Sequence, residues 1–121
     1  MIRGVRGATT VRENSEEEIM LETKQVVMAM VEANSIQAED VSHIFFSVTK
    51  DLNAGFPAKA IREIEEWTYV PVMCMQEIDV PNSLEKCIRV MMVVNTNKEQ
   101  TSIEHVFHNE AVKLRPDLIE E

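Results

Sequence analysis

The 121-residue sequence has little of several features that mark whole classes of protein. It has only two cysteines, three glycines and 5% aromatic residues, and no apolar run approaches the ~20 residues that a membrane span needs. Its N-terminal segment lacks the apolar stretch of a secretory signal. Cys74 and Cys87 do not have the spacing of a zinc or redox pair, and two cysteines make a poor disulfide framework. We therefore expect free thiols and a cytoplasmic location.

Basic residues are also in short supply. Twelve Lys and Arg stand against 21 Asp and Glu, which gives a formal net charge of −9. Nucleic-acid binding depends on neutralising phosphates, and anionic membranes attract polybasic segments, so this balance argues against both partners. It does not exclude a small anionic ligand, because a few well-placed arginines can set the local potential against the global sign.

The common catalytic motifs are missing. The histidines His43, His105 and His108 lack metal-ligand spacing with carboxylates or cysteines. There is no Gly-x-Ser-x-Gly elbow, Cys74 has no evident histidine partner, and the glycines form no phosphate-binding fingerprint. The sequence therefore predicts neither a metal nor a cofactor.

Length and periodicity predict a single α+β (α/β-like) domain over residues 1–121. Ser15 with Glu18 matches a capping box that opens one long amphipathic helix, and Asn34 is a plausible stop. Pro57 suits the first position of a short helix that we expect to reach Trp67. Strands are predicted at 2–11, 41–48, 68–75 and 87–94, with a weaker one at 105–107 and a mobile tail at 111–121.

The strand at 87–94 is apolar on both faces apart from one arginine, so both faces require cover. One long and one short helix can cover only one face of a sheet of about five strands. The sequence therefore predicts a homo-oligomer in which the uncovered faces of the sheets pack against one another.

Arg89 is the arginine that interrupts this strand. A buried guanidinium needs an anion, which can be an internal carboxylate such as Glu77 or Asp79, or a ligand. The sequence pattern leaves both possibilities open. Arg6 lies between Gly4 and Gly7, where a ligand or another backbone has room to approach. The pattern alone favours a surface arginine on a twisted edge strand.

Three further cations have plain surface interpretations. Lys59 and Arg62 lie on successive turns of the short helix, next to several glutamates, as expected of a solvated face. Arg115 lies in the tail beside Pro116, where an exposed terminus is the simple interpretation.

Several separated motifs, spread from Ile2 to Leu118, make the chain resemble the AroH-class chorismate mutases. They are the runs Arg6-Gly7-Ala8-Thr9-Thr10, Phe56-Pro57-Ala58-Lys59-Ala60-Ile61-Arg62, Cys74-Met75-Gln76-Glu77, Cys87-Ile88-Arg89-Val90-Met91-Met92 and Leu114-Arg115-Pro116-Asp117-Leu118. The resemblance implies conversion of chorismate to prephenate by a Claisen rearrangement that needs no covalent or proton-transfer step. It also implies a mixed five-stranded sheet and a homotrimer with a pseudo-barrel centre, whose clefts lie between adjacent subunits.

The resemblance further implies roles for individual residues. Arg89 looks like the cation at the ether oxygen and a carboxylate, Arg6 like a second carboxylate clamp, and Glu77 like the acceptor for the ring hydroxyl, with Cys74 nearby. Lys59 resembles a residue near the entrance, and Arg62 and Arg115 resemble mobile cations that guide or enclose the substrate. The apolar walls would be formed by Phe56, Ala58, Val72 and Leu114.

Two positions depart from the family pattern. Phe107 stands where the family commonly has a tyrosine, whose hydroxyl would bond a substrate carboxylate. Met73 stands where threonine is common, so any hydroxyl contact at that position is lost. A missing neutral hydrogen bond weakens binding by roughly 0.5–1.5 kcal/mol. A non-catalytic trimeric binder of small anions and a deaminase-like protein on a related scaffold remain alternatives to the enzyme.

Overall fold

The computed structural model describes residues 1–114. Three 3₁₀ helices, Ala38–Asp40, Gln100–Ser102 and Asn109–Lys113, connect or follow the main elements. In chain order, the strands and α-helices of this part of the chain are β1 (Ile2–Thr10), α1 (Glu16–Asn34), β2 (Val41–Val48), α2 (Ala58–Arg62), β3 (Val72–Gln76), β4 (Cys87–Asn95) and β5 (Val106–Phe107).

The strands form one five-stranded sheet in the order β3-β2-β4-β1-β5. The central strand β4 is antiparallel to β1 and to β2, whereas β3 is parallel to β2 and β5 is parallel to β1. This mixed sheet, with few helices, confirms the predicted fold class. Because β4 has neighbours on both sides, the residues on it are positioned more firmly than those on the edge strands.

Helix α1 begins and ends where the sequence predicts, although the capping box is only half formed. Ser15 Oγ accepts the Glu18 N–H at 3.1 Å. The Glu18 carboxylate does not bond the Ser15 N–H; it accepts the N–H groups of Arg12 and Glu13 at 2.7 and 3.0 Å. Glu18 therefore accepts backbone N–H groups two and three residues before Ser15, whereas a reciprocal capping box would use the N–H of Ser15 itself.

The C-terminal end of α1 is fixed by Asn34. The side-chain amide of Asn34 donates to the carbonyl oxygens of Met30 and Glu104, and its oxygen accepts the Glu104 N–H at 2.8 Å. Ser35 then adopts a left-handed conformation with φ of 54°. These bonds tie the end of the helix to the segment that leads into β5.

The hydrophobic core lies between one face of the sheet and the two helices. Alternate residues of the strands point into it, among them Val5, Ile44, Phe46, Ile88 and Met92, all fully buried. Burying each such aliphatic side chain contributes about 1.5–3 kcal/mol. Val26, Val27 and Met30 of α1 and Ile61 of α2 cover this face.

Side chains on the opposite face of the sheet, here called the open face, remain uncovered by the described chain. In register, Phe45 lies beside Met73 on one side and Met91 on the other, and all three are exposed. Met75 and Ile2 add to the exposed apolar surface. The sheet face that the sequence analysis predicted to have no helix packed on it therefore exposes apolar side chains in a single chain.

A one-residue irregularity sets which side chains of β2 reach the open face. Val41 pairs with Val94, but His43 pairs with Val93, so Ser42 is an extra residue relative to β4. Beyond this bulge, Ile44 and Phe46 point to the core, and Phe45 and Ser47 point to the open face.

Two boundary predictions are wrong. Helix α2 ends at Arg62 rather than Trp67, because the chain continues in turns in which Ile64 and Trp67 bond the residue three positions earlier. Glu66 has φ of 77°, which ends any helical path. Strand β3 consequently begins at Val72, after Pro71, rather than at residue 68.

The predicted tail begins in a packed segment. Ala111, in the 3₁₀ helix Asn109–Lys113, is fully buried, and Asn109 bonds Thr9, Thr10 and Glu22. The rest of that tail, including Arg115, lies outside the described residues. Among residues 1–114, no helix is both long and apolar enough to cross a membrane.

Candidate active site

The ion pair between Arg89 and Glu77 is the central contact of the open face. Arg89 lies in β4, and its Nε donates to Glu77 Oε2 at 2.7 Å. Glu77 follows β3 and is fixed by its N–H, which donates to the Val48 carbonyl oxygen at 2.8 Å. Of the two carboxylates considered as partners of Arg89, Glu77 is therefore the one that binds it. Asp79 pairs instead with Lys50, at 2.9 Å on the surface.

Arg89 is more exposed than its apolar strand suggests. Its side chain is 46% exposed in the single chain, against 24% for Glu77, so its interpretation as a buried guanidinium is wrong for one subunit. The reason is the alternation of side chains along β4. Ile88 and Val90 point to the core, whereas Arg89 and Met91 point to the open face.

Arg6 lies on the same face as Arg89. In the pairing of β1 with β4, Arg6 is opposite Met91 and Ala8 is opposite Arg89. The two arginines are thus diagonal neighbours, with about 7–8 Å between their backbones. The Arg6 N–H donates to His105 Nδ1 at 2.9 Å, which holds this part of β1 to the segment before β5.

These charged groups border a groove on the open face. Its volume is about 540 Å³, which suits a small molecule. Two arginines and one carboxylate lie beside apolar side chains there, so the groove offers an anion both electrostatic and apolar contacts. It is lined by Arg6, Phe45, Phe46, Ser47, Met75, Glu77, Arg89, Val90 and Met91.

A second cluster surrounds helix α2. The Cys74 thiol lies against the backbone of Ala58 and near Arg62. Burial raises the pKa of Cys74, and this outweighs the backbone hydrogen bond at Ala58 and the Arg62 charge, both of which lower it. The thiol is therefore protonated at neutral pH and acts as a hydrogen-bonding group rather than as a nucleophile. Val72 is half-buried on the same side of β3.

The segment before α2 is held by the N-terminal end of α1. Asn14 Oδ1 accepts the N–H groups of Asn53 and Ala54 at 3.1 and 3.0 Å. Lys59 Nζ contacts Glu16 Oε2 at 3.2 Å, between two exposed side chains. Phe56, which follows this loop, is 71% exposed. The loop is fixed in place, and yet its aromatic residue is directed into solvent.

The two clusters lie on opposite faces of the edge strand β3. Met73 points to the open face, and Glu77, which continues the alternation beyond the strand, reaches the Arg89 side. Val72 and Cys74 point the other way, toward α2. One chain therefore does not bring all of the predicted site residues around one ligand.

Two predicted residues lie further away, and a third is outside the described part of the chain. Phe107, half-buried in β5, pairs with Ala8, which in turn pairs with Arg89, so it lies two strands from Arg89. Leu114 is on the rim of a separate groove of about 1360 Å³, formed with the N-terminal end of α1 and residues 82–86. Arg115 falls outside the described residues.

Sequence reasoning missed several residues that line the groove or support it. Ser47 is directly opposite Arg89, and only the strand register reveals this. The sequence pattern assigned no role to Met75 or Met91, but both line the groove and are partly exposed. Among the described residues, no group of three or more His, Cys, Asp and Glu side chains is arranged to hold a metal ion.

Cys87 lies beside Arg89 at the start of β4. Burial raises the pKa of its thiol, although the adjacent Arg89 guanidinium lowers it by charge and by hydrogen bonding. Glu77 and Asp51 oppose Arg89 and raise the pKa further. The thiol thus stays neutral between groups of opposite charge.

Comparison with known proteins agrees with this geometry. The "Chorismate mutase type I" family model matches residues 2–118. The chain is 55% identical over 118 residues to chorismate mutase AroH of Bacillus subtilis (strain 168), covering 98% of this chain and 93% of that protein. It is 44% identical over 119 residues to chorismate mutase AroH of Thermus thermophilus, covering 98% and 97%.

A solved structure is similar as well. The chorismate mutase from Clostridium thermocellum superposes with a TM-score of 0.87 at 53% sequence identity, covering 89% of this chain and 96% of that one. The family match over residues 2–118 includes every segment that forms the two clusters. The chain therefore belongs to the chorismate mutase type I family.

Proposed function

We propose that this chain is a cytoplasmic enzyme that converts chorismate to prephenate for the synthesis of phenylalanine and tyrosine, in active sites shared between the subunits of a homotrimer. The observation that carries the proposal is the convergence of Arg6, Glu77 and Arg89 on one groove of the open face. Membership of the family supports the assignment of the reaction, and the groove contains the cationic and carboxylate side chains that this reaction needs.

The reaction breaks an ether C–O bond and forms a C–C bond within one molecule. It requires that a flexible dianion be held in a compact shape, which is a restriction of its freedom. It also requires stabilisation of negative charge that develops on the ether oxygen. Arg6 and Arg89 supply cations for both tasks, and neither task needs a nucleophile.

Arg89 is suited to act at the ether oxygen and a carboxylate. A guanidinium has five N–H donors, and the bond to Glu77 uses only Nε–H. The remaining donors are available to the Cys87 thiol and to an anionic ligand. Because Glu77 orients the planar group in advance, little reorganisation is needed when the substrate binds. Glu77 keeps acceptor capacity for the ring hydroxyl of the substrate.

The second cluster completes the proposed site from a neighbouring subunit. Phe56, Ala58, Val72 and Cys74 would form walls, and Lys59 and Arg62 would draw the dianion to the entrance. In one chain these groups lie across β3 from Arg89, so a second copy must bring its α2 edge to the open face. The roles of Leu114 as a further apolar wall and of Arg115 as a cation that guides or encloses the substrate rest on the resemblance alone.

The exposed apolar residues of the open face support the trimer. Phe45, Met73, Met75 and Met91 would be buried when three sheets pack around a common centre. We expect light scattering at micromolar concentration to give a mass near three times the 13.8 kDa of one chain. A monomeric mass would contradict the shared site.

The activity is tested by following the loss of chorismate absorbance with purified protein. We expect conversion to prephenate at an initial rate that saturates as the chorismate concentration rises, without added metal or cofactor. A flat trace at micromolar enzyme, together with binding of chorismate, would favour the non-catalytic binder instead.

A further inference from the structure

The turn that leads into β4 has an unusual backbone conformation. Lys86, the residue immediately before Cys87, has φ of 49°. The left-handed region is unfavourable for a residue with a side chain, because its Cβ approaches the following carbonyl oxygen. A conformation of this kind persists only where neighbouring groups hold it, and here it sets how the chain enters the strand that carries Arg89.

The group that holds this turn is the Asp51 carboxylate. Both of its oxygens accept the Lys86 N–H, at 3.2 and 3.0 Å. Its Oδ1 also accepts the Thr49 hydroxyl at 2.5 Å. A single half-buried carboxylate thus links the loop after β2 to the residue before β4.

Thr49 extends the link into β4 itself. Its Oγ1 accepts the Cys87 N–H at 3.0 Å, and its own N–H donates to the Cys87 carbonyl oxygen at 3.1 Å. Ser47, two residues before Thr49, is directly opposite Arg89. The Thr49–Asp51 contacts therefore continue the pairing of β2 with β4 past its regular end, next to the position of Arg89.

From these contacts we propose that Asp51 is a positioning residue for the reaction. Through Thr49 and the Lys86 backbone, Asp51 fixes the start of β4, and this places the Arg89 guanidinium within hydrogen-bonding distance of the ether oxygen of the substrate. The proposal rests on the proposed role of Arg89. Asp51 is not one of the residues that line the groove. Electrostatic stabilisation depends on donors held within a few tenths of an ångström, and a misplacement of about 1 Å can cost ~100-fold in rate.

The first test compares the kinetics of Asp51→Ala with those of the unchanged enzyme. We expect kcat to fall about 10- to 100-fold, while KM changes by less than about 3-fold, because Arg6 and the apolar walls still bind the substrate. Asp51→Asn keeps an oxygen that can accept the Lys86 N–H and should recover part of kcat. Asp79→Ala is the matched control, because Asp79 is a surface carboxylate that forms an ion pair with Lys50 and does not line the groove.

The second test separates positioning from general stability. In an Arg89→Lys background, which lacks the forked donors, Asp51→Ala should lower kcat by less than about 3-fold. The shift in urea midpoint caused by Asp51→Ala should be the same in both backgrounds. Equal losses of kcat in both backgrounds would identify a purely structural role and overturn the proposal.

If Asp51→Ala does not fold, Thr49 gives an independent route. Thr49→Val removes the hydroxyl that joins Asp51 to the Cys87 N–H, and Thr49→Ser retains it. We expect a loss of kcat in the first variant and its recovery in the second. Near-normal kcat in Asp51→Ala or Thr49→Val, with Arg89→Ala inactive, would refute the positioning role and leave the proposed function intact. A near-normal rate in Arg89→Ala would instead refute the proposed function.

Discussion

Arg89 and Glu77 form their ion pair across an intervening strand. Glu77 follows β3 and Arg89 lies in β4, and the sheet order places β2 between them, with Ser47 as the residue opposite Arg89. Two strand spacings amount to about 9.5 Å. Ser47 pairs with Met75 in β3, so Glu77 lies two residues beyond the row of Arg89 and Ser47. The ion pair is therefore a diagonal contact that two long side chains bridge.

Loss of the Arg89 guanidinium should abolish most of the catalysis. We expect Arg89→Ala to lower kcat by about 10²- to 10³-fold, because the developing charge on the ether oxygen loses its preorganised donor. Arg89→Lys should also be poor, since an ammonium group lacks the forked donors. The steady-state rate of chorismate loss measures both.

Arg3→Ala is a suitable control for the arginine substitutions. Arg3 lies on β1 like Arg6, but its Nε donates to the Lys98 carbonyl oxygen, away from the groove. It should retain normal kcat. A near-normal rate in Arg89→Ala, with the protein folded, would exclude electrostatic catalysis by this residue.

A site shared between subunits predicts that two inactive variants restore each other. Arg89→Ala damages one half of the site, and the double charge reversal Lys59→Glu/Arg62→Glu damages the other. If subunits assort at random, co-refolded trimers should regain about a quarter of the normal activity. Each variant refolded alone is the control, and failure of the mixture to exceed both would place the whole site within one chain.

Restoring a tyrosine at position 107 should improve substrate binding. Phe107 lies two strands from Arg89, with Ala8 between them in register. In Phe107→Tyr we expect KM to fall by about 2- to 10-fold, the equivalent of one neutral hydrogen bond, with a smaller change in kcat. Unchanged KM and kcat would mean that the departure from the family pattern is compensated elsewhere.

A side chain at position 7 should destabilise the fold. A Cβ at this position would overlap the sulfur of Met30, which is fully buried in α1. Gly7→Ala should therefore lower the free energy of unfolding by about 1–3 kcal/mol, as measured by urea titration. In a Met30→Ala background, where the space is open, the same change should cost much less. Equal losses in both backgrounds would show that the contact with Met30 is not the cause.

Stability should fall with rising pH in the alkaline range. Burial raises the pKa of Cys74 and Cys87 above 9.0, so the unfolded chain releases these protons at lower pH than the folded chain does. The folded state then holds more protons from about pH 9 upward, and the free energy of unfolding decreases as pH rises toward the folded pKa values. Urea midpoints at pH 8 and pH 10 would show this decline.

The variant Cys87→Ala isolates one of these two contributions. Removing the thiol should make the decline between pH 8 and pH 10 shallower, and a second substitution, Cys74→Ala, should flatten it further. A decline of unchanged slope in the double variant would assign the alkaline loss to other groups.

Local patterns predicted the regular elements well. The bounds of β2 and the start and end of α1 follow from apolar spacing, from the Ser15 cap and from Asn34, all of which act within a few residues. The end of α2 was missed because Ile61, Ile64 and Trp67 keep an apolar spacing that fits a helix and also fits the successive turns that the chain adopts.

The candidate site was less accessible from patterns. Its residues come from separate segments that are brought together only by strand pairing. Ser47 lies opposite Arg89 because of the register between β2 and β4, which no local sequence pattern predicts. The prediction that Arg6, Glu77 and Arg89 belong to one site came from the family resemblance alone. The contacts of Thr49 and Asp51 were missed for the same reason, since their partners, Lys86 and Cys87, lie at the start of β4, more than 30 residues further along the chain.

The extra residue at Ser42 has a consequence for insertions and deletions in this family. Because Ser42 is the unpaired residue, deleting it would leave His43 opposite Val93 and every later residue of β2 opposite its present partner. Ile44 and Phe46 would stay in the core, and Phe45 and Ser47 would stay on the open face. A deletion within the regular part of the strand would instead move the side chains on one side of it to the other face. The chain can therefore lose one residue at the bulge, but not further along β2, without exchanging its hydrophobic core with the surface proposed for trimer contacts.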